Sequence, residues 1–234
     1  MFFFMRPLSL RERAECESKI MLKRTIIFIN GDLPNLDAAR KIIRDGDFII
    51  AADGGTRHVL ALGLIPSVVI GDLDSLDAAN RRYLEKNRVE IFAYPKDKDE
   101  TDLALALAYA VDAGYEQILL VGALGGRLDQ TLGNLSLLTD PTFEGLDVRI
   151  DDGVEEAFFA RRQAKIHGRI GEIISLLPWG GDVQILRTEG LRWSLQNEKL
   201  YAHKTRGISN EMIAENAEIQ IESGFLLVIH ARSS

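Results

Sequence analysis

The sequence predicts an α/β protein: a doubly wound parallel sheet in the N-terminal part, followed by a small antiparallel β-sandwich. Three observations predict it. Short apolar runs alternate with helical stretches from Thr25 to about Asp152. Those runs are continuous rather than alternating, as strands covered on both faces should be. Beyond Asp152 the helical stretches give out, and strand-like segments follow one another between Gly, Asp and Asn turns.

The buried strands of the first part read "TIIFIN" (25–30), "FIIAAD" (48–53), "SVVIGD" (67–72), "EIFAYP" (90–95) and "QILLVGA" (117–123). Stretches such as "LDAARKIIRDG" and "TDLALALAYAVDAG" lie between them with helical spacing. Strand and helix in strict turn imply right-handed crossovers and hence a parallel sheet. In the second part "EEAFFAR", "GEIISLLPW", "DVQILRT", "LYAHKT", "AEIQIES" and "GFLLVIHAR" read as short strands. The expected division is a weakly ordered arm over 1–20, an α/β domain over 21–152 and a β-sandwich domain over 153–234. The arm has no clean period, and Met21 opens the first convincing strand as a candidate start of translation.

Composition narrows the function. A formal net charge of −7, with no broad basic stretch, argues against nucleic acid or an anionic membrane as partner. One cysteine, Cys16, allows no intrachain disulfide, and no apolar run reaches the length of a membrane helix. A cytoplasmic location is the expectation.

In an open parallel sheet, ligands bind beyond the carboxyl ends of the strands. Here those ends read Asn30-Gly31-Asp32, Asp53-Gly54-Gly55 and Gly71-Asp72-Leu73-Asp74-Ser75. "PKDKDETD" (95–102) and "GALGGRLDQ" (122–130) complete the set. Each piece alone has a plain structural reading as turn or helix cap. Together they bring Asp53, Asp72, Asp74, Asp99 and Asp102 to one sheet edge, where like charges repel unless a cation holds them. Oxygen-only ligands without a His or Cys cluster suit Mg²⁺, which usually shares its sites with phosphate. Gly125 and Gly126 let backbone N–H groups approach an anion. A helix starting near Leu128 to Gln130 adds its dipole, and Arg127 at that turn can grip phosphate. Neither a Walker P-loop nor a clean dinucleotide fingerprint is present.

The motifs "ADGG", "GDLDS", "KDETD" and "GGRLDQTLGN", in this order and spacing, resemble the thiamine pyrophosphokinase family. "GLRWSL", "GISNE" and "GFLLVI" are similar to its β domain, and the likeness covers nearly everything after Met21. The resemblance implies pyrophosphoryl transfer from ATP to the hydroxyl of thiamine, with that hydroxyl attacking the β-phosphorus and AMP leaving. It implies a homodimer with active sites between the α/β part of one subunit and the β part of the other. It makes Asp72, Asp74 and Asp102 the metal-associated carboxylates, and these with Arg127 the catalytic set. Asn30, Gly31, Asp53, Gly54, Gly55, Asp99, Thr101, Gly126, Asp129 and Gln130 fall to nucleotide and phosphate binding. Ser209 and Asn210 face the aminopyrimidine. One departure is the lack of a Trp in "GFLLVIHARSS"; Trp179, Trp193 and Phe225 remain, and each reads more simply as core.

Three rival readings stand beside this one. "GDLDS" imitates the Asp-x-Asp of haloacid-dehalogenase phosphohydrolases, with Asp72 as nucleophile and Asp74 as acid, but that leaves "GGRLDQ" unused. A pyrophosphokinase acting on another alcohol, such as a hydroxymethylpterin, keeps the fold and changes the acceptor. A nucleotide- or thiamine-sensing module binds without turnover. His58, His167, His203 and His230 are scattered singly and read as surface or packing residues.

Overall fold

The structure, a computed structural model, describes residues 22–233. The expected N-terminal arm, the start at Met21 and Cys16 lie outside the described residues. From Arg24 the chain runs β1 (Arg24–Phe28), α1 (Leu36–Ile42), β2 (Phe48–Ala52), α2 (Thr56–Ala61), β3 (Val68–Gly71), α3 (Ala78–Lys86) and β4 (Glu90–Ala93). It continues through α4 (Asp102–Asp112), β5 (Gln117–Val121), α5 (Leu128–Leu137) and β6 (Asp147–Asp151). These six strands are parallel, in the order β6-β5-β1-β2-β3-β4. Their continuous apolar runs cover both faces: Ile27, Ile50, Ile70 and Leu120 pack on one side, Ile26, Phe28, Val69 and Val121 on the other. The order reverses beside β1, where β5 returns on the opposite side from β2, so the topological switch point lies between β1 and β5.

The second half is all strand: β7 (Glu155–Ala160), β8 (Gln163–His167), β9 (Ile173–Pro178), β10 (Val183–Glu189) and β11 (Gln196–Leu200), then β12 (Asn210–Glu211), β13 (Asn216–Ser223) and β14 (Leu226–Ala231). The segment "LYAHKT", expected as a strand, is not one. The strand is Gln196–Leu200, and the chain turns away after Leu200. Two sheets form the sandwich, but one of them is the parallel sheet itself. β7 pairs antiparallel with β6, and β14, β9 and β12 extend the same sheet to ten strands. The four-stranded sheet β11-β10-β13-β8 covers this extension. Period-two alternation lets the shared strands serve two cores at once. Phe158, Ala160, Leu226 and Val228 face the second sheet, whereas Ala157, Phe159, Leu227 and Ile229 join the helix-side core.

The change from parallel to antiparallel pairing carries a buried polar network. Arg149 on β6 donates to Glu156 on β7 at 2.8 Å, and Arg232 after β14 donates to Asp151 at 2.6 and 2.8 Å. His230, fully buried on β14, bonds Glu172 through Nε2 at 2.8 Å and faces Glu156 through Nδ1 at 3.6 Å. Burial pushes the Glu156 carboxyl up, but the His230 ring, Arg149 and Arg232 outweigh it and hold the group down at about 2. A carboxylate held below its ordinary 4.5 stabilises the fold fully above that value, and the contribution is lost as pH falls towards 2. The shift corresponds to about 3 kcal/mol. In urea titrations, wild-type stability should therefore fall more steeply between about pH 5 and pH 2 than that of Glu156→Gln. Parallel curves would show that Glu156 plays no such part.

Candidate active site

The carboxyl ends of β1 and β5 meet more closely than side chains allow. The Gly31 amide donates to the Gly122 carbonyl at 2.8 Å and the Asp32 amide to that of Leu124 at 3.0 Å. A Cβ on Gly31 would lie 2.3 Å from the Gly122 oxygen. Around this junction opens a cleft of about 590 Å³, walled by the ends of β1, β2, β3 and β5 and by the loop before α4.

On the β2–β3 side the carboxylates gather through local backbone geometry. β2 runs straight into a 3₁₀ turn, Asp53–Gly55, with Asp53 at φ 41°. β3 ends at Gly71, where a Cβ would come within 2.9 Å of the Asp53 side chain. Leu73, at φ 63°, then folds the loop back so that the Asp74 amide donates to Asp72 Oδ1 at 3.1 Å. Ser75 Oγ donates to Asp53 Oδ1 at 2.8 Å and ties the two strand ends together. As a result, one carboxylate oxygen from each of Asp53, Asp72 and Asp74 lies within 4.8 Å of the others. Burial raises the Asp53 pKa, and the charges of Asp102 and Asp72 add to that rise. Asp74 is lowered by its hydrogen bond to Lys96 Nζ at 2.5 Å.

Asp102 lies outside this trio: of the expected metal set, Asp72 and Asp74 converge with Asp53, and Asp102 stands apart from them. Asp102 opens α4 and accepts a hydrogen bond at 2.8 Å from the Nζ of Lys98, four residues earlier on the loop that precedes the helix. Thr101 caps that helix through Oγ1 and lines the cleft with Asp102. Asp99 is exposed and does not line it; Glu100 does.

The glycines divide by role. Gly54 and Gly55, expected to help form the phosphate end of the cleft, are buried beneath it and act as spacers. A Cβ on either would strike the Asn30 side chain at 2.4 Å or the Phe28 carbonyl at 2.0 Å. Gly125 and Gly126, at φ 79° and 68°, do line the cleft, but the Gly126 amide already donates to Asp32 Oδ2 at 2.7 Å. Arg127 and Gln130 line it too, with α5 beginning at Leu128. Asp129 does not; it accepts from Arg127 Nε and Nη2, which lowers the Asp129 pKa and raises that of Arg127. Asn30 lines the cleft, and its carbonyl with that of Gly31 accepts from Arg57 at 3.1 Å.

Ser209 and Asn210 lie elsewhere, in a separate hollow of about 230 Å³ with Trp193, Arg206 and Ile208. The Asn210 amide is committed within the chain: Oδ1 accepts from the Trp193 amide and Nδ2 donates to the Trp193 carbonyl. Both ends of its amide are thus bonded to the Trp193 backbone, which fixes the loop that carries Ser209. Ser209, at φ 58°, is exposed beside it. Trp193 is 49% exposed, so the expectation of a core role fails for this residue. Trp179 and Phe225 pack on Phe159 at 5.5 and 4.6 Å.

Sequence reasoning missed Arg57, Ser75, Lys96, Lys98, Glu100 and Asn134. Ser75, Glu100 and Asn134 lie inside the quoted motifs "GDLDS", "PKDKDETD" and "GGRLDQTLGN" without standing out there, whereas the lysines left a signal of their own, alternating with carboxylates in "PKDKDETD". Asn134 binds the Ala123 carbonyl at 2.8 Å from the interior of α5, which no spacing reveals.

A switch-point cleft lined by oxygen donors, glycine turns and cations belongs to the class of α/β enzymes that handle phosphate groups. The family model for the thiamin pyrophosphokinase catalytic domain matches residues 39–150, and that for the vitamin B1 binding domain matches 162–226. A thiamine pyrophosphokinase of Bacillus subtilis is 32% identical over 184 residues, covering 78% of this chain and 86% of that protein. The chain belongs to the thiamine pyrophosphokinase family. A rice relative, thiamine pyrophosphokinase 1, is 29% identical over 72% of this chain and 67% of its own. The crystal structure of a Bacillus subtilis thiamine pyrophosphokinase superposes with a TM-score of 0.81 at 27% identity, covering 91% of this chain and all of the other. Yeast thiamin pyrophosphokinase, at 19% identity, shares the fold with a TM-score of 0.69, covering 88% of this chain and 85% of its own.

Gly31→Ala should cost about 1–3 kcal/mol, because the β1–β5 junction must open to admit a methyl group. Urea unfolding checks this; unchanged stability would mean the junction is looser than its 2.8 Å hydrogen bond indicates.

Proposed function

We propose that this chain transfers a pyrophosphoryl group from ATP to the hydroxyl of thiamine, giving thiamine diphosphate and AMP, with Mg²⁺ as the metal. The observation that carries the chemistry is the convergence of Asp53, Asp72 and Asp74 at the mouth of the switch-point cleft. Three hard oxygen donors and no sulfur or imidazole among them fit Mg²⁺. Bound there, the ion would neutralise phosphate oxygens of the nucleotide. The chain's own residues do the rest. Gly125, Arg127 and Gln130 face the phosphates from the α5 side, where the helix dipole favours negative charge. Asp102 orients the thiamine hydroxyl and accepts its proton as the new bond to the β-phosphorus forms. The bond from that phosphorus to the oxygen bridging the α-phosphorus breaks, and the oxygen leaves with AMP. Positioning and electrostatics account for most of such catalysis.

Thiamine binding is assigned to the Ser209–Trp193 hollow, where an exposed indole stands beside a free hydroxyl. That hollow shares no lining residue with the acidic cleft. We therefore propose a homodimer in which the hollow of one subunit closes over the cleft of the other. Exposed Trp193, Ile208 and Ile213 supply apolar surface on that side. A single cysteine and the requirement for ATP support a cytoplasmic activity. Among the described residues no helix is long and apolar enough to cross a membrane.

Chromatography of a reaction containing ATP, Mg²⁺ and thiamine should show AMP and thiamine diphosphate in equal amounts. ADP or free phosphate alone would return the Asp-x-Asp to a phosphohydrolase role. Asp72→Asn should lower turnover at least about a hundredfold with an unchanged circular dichroism spectrum; near-wild-type turnover at saturating Mg²⁺ would remove Asp72 from the site. Refolding an equal mixture of inactive Asp72→Asn and inactive Ser209→Arg should restore roughly a quarter of wild-type activity, because half the dimers then hold one intact site. No recovery, with dimers present, would place each site within one subunit.

A further inference from the structure

Lys96 stands apart from the other cations of the cleft. Its Nζ lies 2.5 Å from Asp74 Oδ2, on one of the three carboxylates that converge, and the same side chain lines the cleft. The pair is held loosely by its surroundings, with 76% of the Lys96 side chain and 51% of that of Asp74 exposed. Exposed pairs of this kind are weak and exchange readily. Lys98, two residues on, is the opposite case. Only 13% of its side chain is exposed, and it is fixed by Asp102 at 2.8 Å and the Pro95 carbonyl at 3.3 Å. Arg127 pairs with Asp129, a pair as exposed as that of Lys96, but Asp129 neither lines the cleft nor belongs to the three converging carboxylates.

We infer that Lys96 is an exchanging counter-ion, which sits on Asp74 until a divalent cation takes that carboxylate and then turns to the nucleotide's phosphates. The inference rests on the reading of the acidic cleft as a metal–nucleotide site. Its physical basis is competition. An ammonium and a divalent cation at contact distance on one carboxylate repel each other, so the more weakly held charge leaves. The four-carbon stem of Lys96 keeps the displaced ammonium within the cleft, where a polyphosphate is the available anion and three N–H donors are free to bind it. The lysine thereby links the two ligands: it opposes metal binding alone and favours nucleotide binding once metal is present. Lys98 stays in place and holds Asp102 and the loop in register.

Calorimetric titration tests this without turnover. Mn²⁺ serves as the metal probe and α,β-methylene-ATP as the nucleotide, since its carbon bridge blocks the bond that breaks. Lys96→Gln should bind Mn²⁺ alone roughly two- to fivefold more tightly than wild type, because the competing ammonium is gone. With Mn²⁺ saturating, it should bind the analogue at least about tenfold more weakly. Lys96→Arg should move both affinities back towards wild type. Affinities that stay within twofold of wild type would reduce Lys96 to a surface ion pair and overturn the inference. Both affinities weakening together, with a lower melting temperature, would make Lys96 a structural residue and overturn it equally. If wild type itself takes up neither Mn²⁺ nor the analogue, the reading of the cleft falls and this inference with it. If wild type binds both and Lys96→Gln does not separate them, only the inference falls.

Discussion

The hydrogen bond from the Gly31 amide to the Gly122 carbonyl closes the carboxyl ends of β1 and β5 to a distance that no side chain survives. The cleft depends on this contact. With β1 and β5 joined at their ends, the chain leaving β1 must pass beneath the turn leaving β5, and Asp32 caps the Gly126 amide from below. Gly54 and Gly55 repeat the device on the other side of β1, letting the Asp53 turn rest directly on that strand. The glycines at these strand ends serve backbone packing first, and that packing sets where the carboxylates stand.

A second constraint joins the halves of the molecule. The α/β sheet does not stop where the helices do. β7 reverses beside β6 and hands the sheet to the sandwich, so β7 and β14 have one face in each core. Buried charges at this seam are costly unless every partner is in place. Arg149, Glu156, Glu172, Arg232 and Asp151 are held by mutual hydrogen bonds, and His230 bonds Glu172 through Nε2, while its buried Nδ1 stands 3.6 Å from Glu156 with no hydrogen-bond partner among the described residues. A network with such demands specifies one pairing register, and the register aligns the sandwich with the parallel sheet.

At the cleft the balance of charge is local. Asp53 is pushed up by burial and by its acidic neighbours, while Asp74 and Asp129 are pulled down by the Lys96 and Arg127 hydrogen bonds. At the adjoining ends of β2 and β3 a carboxyl that resists ionisation, Asp53, thus stands beside one that favours it, Asp74. Ser75 holds the pieces in register by one hydrogen bond to Asp53, and Lys98 by two, to Asp102 and the Pro95 carbonyl.

By itself the sequence determined the strands, the helices and the sheet edge on which the chemistry lies. Continuous apolar runs, helix caps such as Asp77 and Thr101, and glycine-rich strand ends are local signals whose physics acts over a few residues. It also carried "GDLDS", whose Asp72 and Asp74 are brought together by their own turn. Only the tertiary structure decided which third carboxylate joins them. Asp53 and Asp102 are both acidic and both near in sequence pattern, but β3 beside β2 brings Asp53 in, while the ion pair with Lys98, on the loop before α4, draws Asp102 aside. It likewise decided that Gly54 and Gly55 are spacers, that Asn210 is spent on backbone and that Trp193 is exposed. Each of these depends on a neighbour far away in the chain, and a residue's type does not say which neighbour the fold will supply.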